Sequence, residues 1–146
     1  MFKRLSASLL ILAIGASASV TASAQSDLVA ARKANFKQTG IAMRQMRGQF
    51  SGGDYEAIAA SALKIAAWAE QMPEFFPAGT GPDTHQTDAL PSIWERFDSF
   101  TALAQDNQKA ALSLANAAKD GDGNAIMAGM QALGKTCGAC HSQFRK

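Results

Sequence analysis

This sequence has little with which to build crosslinks, strands or a charged patch. Cysteine occurs twice, at Cys137 and Cys140, so a framework of several disulfides is excluded. Proline occurs four times, three of them between Pro73 and Pro82, which leaves the remaining stretches free to be helical. Runs of alternating apolar and polar residues are missing, so no strand is expected. No stretch approaches the ~20 apolar residues that span a bilayer. Charge is also nearly balanced, at 14 basic against 12 acidic residues, and nucleic-acid binding has no basic patch to work with.

The surplus of basic charge lies at the start of the chain. Lys3 and Arg4 precede an apolar run, Leu9-Leu10-Ile11-Leu12-Ala13-Ile14, and Ala22-Ser23-Ala24 follows as an A-x-A site. This is the pattern of a secretory signal peptide, residues 1–24, cleaved after Ala24. The mature chain, residues 25–146, is then charge-balanced, about one domain long and without a membrane anchor. Export places it in the periplasm.

The chemistry is concentrated in Cys137-Gly138-Ala139-Cys140-His141. Cys-x-x-Cys-His is the attachment signature of a c-type haem: each sulfur adds to a porphyrin vinyl group and the histidine binds iron. At ~100° per residue the two cysteines and His141, at i, i+3 and i+4, share one helical face. Gly138 and Ala139 between the thiols are small enough to leave room for the ring. A thioredoxin-like redox pair would follow a strand, and none is expected. Structural zinc would need another ligand, and the second histidine, His85, sits in a Pro/Gly-rich loop. A disulfide across two residues of a continuous helix has poor geometry. One covalently attached haem c per chain is the reading that remains.

Four amphipathic segments surround this motif. Residues 26–50 form a first helix with Leu28, Arg32, Phe36, Thr39, Gly40, Met43 and Arg47 on one stripe, ended by Gly52-Gly53. Asp54 is placed to cap a second helix to Gln71, with Ile58, Leu63, Ile65, Ala66, Trp68 and Ala69 inward. Residues 73–90 read as a long loop of the kind that covers a ligand. A third helix runs from Pro91 to Lys119 through Ile93, Trp94, Phe97, Phe100, Leu103, Leu112 and Leu114. After the Asp120-Gly121-Asp122-Gly123 turn, a fourth carries Ile126, Met130, Leu133 and the haem pentad. The fold class is all-α: an antiparallel four-helix bundle with one long crossover loop.

With the pentad in the last of four helices, the chain resembles cytochrome c′, the class II c-type cytochromes. The resemblance rests on Ala31-Arg32-Lys33-Ala34-Asn35-Phe36-Lys37, on Phe75-Phe76-Pro77-Ala78-Gly79-Thr80, on Ile93-Trp94 and on residues 137–145. It implies that Cys137 and Cys140 carry the thioethers and that His141 is the proximal iron ligand. It implies Arg145 beside the proximal imidazole, Arg32 at a haem propionate, and Lys33, Thr87 and Asp88 at the haem edge. On the residues alone, Arg145 can equally be a solvated C-terminal cation, surface solvation is the lesser alternative for Arg32, and Asp88 can equally cap the third helix.

By the same register Phe36 stands over the iron, with Thr39 and Gly40 completing the distal side. Phenyl cannot ligate, and low-spin relatives have methionine where this chain has Thr39. The implied function is a five-coordinate, high-spin, redox-active iron that binds small gaseous ligands, NO and CO, in an apolar pocket without a hydrogen-bond donor. The resemblance links such NO binding to protection from nitrosative stress, and implies a homodimer through the first two helices and exchange with a redox partner protein. Two other classes stay open. One is a low-spin electron carrier with Met43 or Met46 as sixth ligand; the other, ranked last because the stripe offers no histidine, is a haem enzyme.

Overall fold

The computed structural model describes residues 22–146, so the signal sequence lies almost wholly outside the described residues. Helix α1 spans Ala22–Ser51, α2 Tyr55–Gln71, α3 Ser92–Glu95, α4 Phe97–Asp120 and α5 Gly123–Phe144, with a 3₁₀ turn at Met72–Phe75. The long helices α1, α2, α4 and α5 form the bundle. Among the described residues there is no strand, only an isolated antiparallel bridge between Ala89 and Arg145.

Local signals set most helix ends. Asp54 caps α2 by accepting from the Ala57 N–H, and Asp122 caps α5 by accepting from Asn124 and Ala125. Gly121 closes α4 in the left-handed region, φ 73°, where its N–H reaches the carbonyls of Ala117 and Ala118. The third helix differs from the continuous run expected from Pro91. It breaks at Arg96 (φ −130°, ψ 48°), where the side chain turns to lie 4.9 Å over the Phe144 ring and to donate to Gln143. That contact, made with α5, lets short α3 and long α4 pack separately.

Two apolar clusters fill the bundle. One holds Met46, Ile58, Ala62, Ile65, Ala111, Leu114, Ile126 and Leu133, with Met43 and Met130 packed beside it. The other is aromatic, holding Trp68, Phe76, Phe100 and Phe144, with Phe36, Phe75, Trp94 and Cys140 against it. Gly129 lets α4 and α5 close up, since a Cβ there would lie 3.1 to 3.3 Å from Leu114, including its Cα. Leu63, placed inward by periodicity, is 41% exposed, and Arg47 yields its place on the stripe to Met46; on the third helix Leu112 and Phe97 also face out. Small alanines on the true inner faces make the apolar stripe narrower than the sequence suggests.

Helix α1 packs on α2 and the 3₁₀ turn, and α5 packs on α4 and α3, while α1 and α5 scarcely touch. The bundle is therefore left ajar along one seam. No helix among the described residues is long and apolar enough to cross a membrane.

Candidate haem site

The seam between α1 and α5 carries the residues singled out by the sequence. On α5, Cys137 and Cys140 are half-buried and unbridged, and His141 is exposed one position on. Burial raises both thiols, Cys140 to about 11 with a further push from Cys137. Partial desolvation, and then the charge of Arg145, lower His141. At neutral pH the thiols are thus protonated and the imidazole is neutral, the form whose free ring nitrogen binds iron.

Asn107, which the sequence analysis missed, holds the first cysteine in place. Its Nδ2 donates to Thr136 Oγ1 at 2.8 Å and to Cys137 Sγ at 3.5 Å, and it is buried on α4 between Ala104 and Ala111. A polar residue on an otherwise alanine-lined inner face was the available signal.

Arg32 is not a solvated surface cation. It is 1% exposed, and its guanidinium donates to Phe75 O (3.2 Å), Thr80 Oγ1 (3.0 Å), Thr80 O (2.8 Å) and Thr87 Oγ1 (3.2 Å). It lies 4.3 Å over the Phe76 ring. Burial lowers it to about 10, well above neutral pH, so it remains charged with neutral oxygens as its bonded partners. One side chain of α1 thereby organises the crossover loop, and Trp94 helps by donating to Phe76 O and Pro77 O at 3.0 Å each.

The remaining polar residues gather around that loop. Lys33 reaches Gln86 O at 3.4 Å, and Thr87 also accepts from the Ala89 N–H. Asp88 does not cap the third helix, whose first flanking residue is Pro91. It pairs with Arg145 at 3.6 Å, and its carbonyl accepts from the Lys146 N–H. Arg145 has left the helix (φ −132°, ψ 142°), so it meets the loop while still acting electrostatically on His141.

On the opposite wall Phe36 is half-buried, edge-on to Trp68 at 5.3 Å and to Phe76 at 6.5 Å. Thr39 and Gly40 follow, also half-buried. The sequence leads one to expect no hydrogen-bond donor around Phe36, but the neighbouring Trp68 indole carries an N–H. Met46 is fully buried in the other cluster, and Met43 lines a cleft of about 330 Å³ with Arg44, Arg47, Met130, Gln131 and Gly134. No group of three or more His, Cys, Asp or Glu side chains able to hold a bare metal ion occurs among the described residues.

The residues fit a haem. There is an open seam, a thiol pair and neutral histidine on one wall, an aromatic wall opposite, and a buried cation lacking an anion. Comparison with known proteins agrees. The family model described as Cytochrome C' matches residues 27–145. The chain is 45% identical to a cytochrome c' of Rhodospirillum rubrum over 84 residues, 58% of this chain and 56% of that protein, so it spans about half of that relative's length. It is 35% identical to a cytochrome c-556 of Agrobacterium tumefaciens over 118 residues, 78% of this chain and 93% of that protein. Cytochrome c prime from Shewanella frigidimarina superposes with a TM-score of 0.74 at 30% identity, over 84% of this chain and 96% of that one. The chain belongs to the cytochrome c′ family and carries covalently attached haem c.

Proposed function

We propose that the protein is an exported, periplasmic cytochrome whose iron is five-coordinate and high-spin, with His141 as its only axial protein ligand. It binds NO and CO and is redox active; it is not an enzyme. The haem supplies a redox-active iron with one side available to small diatomic molecules. Cys137 and Cys140 hold it, and Arg32, Lys33, Thr87, Asp88 and Arg145 surround its polar edge. Phe36, with Thr39 and Gly40, faces the other side.

The observation that carries this reading is the place of Phe36. It shares the aromatic cluster that includes Cys140, whereas Met43 and Met46 pack with the aliphatic cluster around Ile58 and Leu114, Met46 at 0% exposure. To ligate, Met46 would have to leave a packed core, and Met43, which lines the cleft with Arg44 and Arg47, would have to leave its packing against that same core. A solved nitric oxide complex of a leucine-to-alanine mutant of cytochrome c prime from Alcaligenes xylosoxidans superposes at a TM-score of 0.72 and 26% identity. It supports the gas-binding reading by likeness. Cleavage after Ala24, a homodimer through α1 and α2, and electron exchange with a protein partner belong to the same proposal.

Absorption and EPR spectra of the ferric and ferrous holoprotein test it. High-spin signals that change on adding NO and CO are expected; a low-spin ferric spectrum with a methionine-to-iron charge-transfer band would overturn it. Phe36→Ala should speed CO association about tenfold or more, which corresponds to removing about 1.4 kcal/mol of steric barrier. An unchanged rate would show that Phe36 does not cover the iron.

A further inference from the structure

Two buried donors in the aromatic half of the bundle lack what they need. The Trp68 indole, 7% exposed, has an Nε1–H with no acceptor. Arg32 has a positive charge with neutral oxygens as bonded partners, and its Nε–H is not among the donors used. Both are tied to the adjacent residues Phe75 and Phe76. Trp68 lies edge-on to Phe75 at 5.1 Å, the Phe75 carbonyl accepts from Arg32, and the Arg32 guanidinium covers Phe76. Trp94, the other indole of the chain, is already satisfied by two carbonyls.

A carboxylate offers about four lone-pair sites, enough for a guanidinium and an indole together. A buried N–H is costly to leave unmade, and a buried cation is costly to leave uncompensated, so one anion relieves both. We propose that Trp68 Nε1–H and Arg32 converge on one carboxylate of the haem, with Trp68 as its second, uncharged donor. The inference rests on the haem site described above but not on how many ligands the iron has. Trp68 acts as a positioning residue: it fixes the carboxylate and tempers its negative charge near the iron.

Ultraviolet resonance Raman spectra of the wild-type holoprotein read both indoles. Two hydrogen-bonded indoles are expected; a free-indole component would overturn the proposal and needs no variant. Trp68→Phe keeps the ring bulk and removes the donor. Its midpoint potential should fall, because a less compensated carboxylate favours ferric iron. Trp68→Phe combined with Arg32→Lys should change the potential by less than the sum of the single changes. A wild-type potential in Trp68→Phe, with NO or CO dissociation altered instead, would overturn the proposal and assign the donor to a gas ligand. The spin state separates the two failures: loss of high-spin signals strikes the open-iron reading alone, and an unchanged potential with high-spin signals intact strikes this inference alone.

Discussion

Arg32 shows how much a single side chain can decide. Its position on the α1 stripe is legible in the sequence, and so is the expectation of an anion nearby. Its partners are not, because Phe75, Thr80 and Thr87 lie more than forty residues away and are reached only once the loop has folded back. Arg32→Ala would leave four carbonyl or hydroxyl oxygens short of a donor in a buried place, with an expected loss of about 3 kcal/mol. Urea unfolding of the holoprotein measures this, and Arg32→Lys should recover only part of it, because an ammonium cannot reproduce the planar fork. Asp88 and Arg145 are the opposite case. Their pair is 3.6 Å long and both side chains are largely exposed, so Asp88→Asn should change stability by no more than about 0.5 kcal/mol. Asn107 stands between them, buried but small; Asn107→Ala should cost about 1 kcal/mol by the same unfolding measurement. It should also reduce the fraction of chains isolated with haem attached, by freeing Cys137.

At the scale of elements, caps and breakers made the helix ends readable: Asp54, Gly121 and Asp122 act where the sequence places them. The break at Arg96 was not readable, since its cause is a ring on α5 and not a local proline or glycine. The inward list failed in a related way. Leu63 looked like core because leucine usually is, yet in an alanine-rich bundle the close helix approach belongs to the small residues, and Leu63 and Leu112 flank it. Gly129 marks a close approach of α4 and α5. Gly129→Ala gains helix propensity but forces a methyl against Leu114 backbone, and the clash should prevail with a net loss of about 1–2 kcal/mol. Thermal unfolding gives the sign directly.

Across the whole molecule, the bundle is closed on three sides by apolar packing and left open on the fourth, where α1 faces α5. The loop and the C-terminal segment bind one another across the end of that opening through the Ala89–Arg145 bridge and the Leu90 N–H to Phe144 carbonyl bond. The haem pentad itself was legible in five letters, because its chemistry is local; the seam was not, because it depends on which helices fail to meet. That seam also bears on how the protein is made. A polypeptide grows from its N-terminus, so the residues of α1, α2 and α4 are all made before the cysteines of α5 have been added. The cofactor can be joined only afterwards. An unzipped seam keeps the thiols within reach of whatever performs that ligation, and thiols held in their protonated form resist oxidation to a disulfide while they wait.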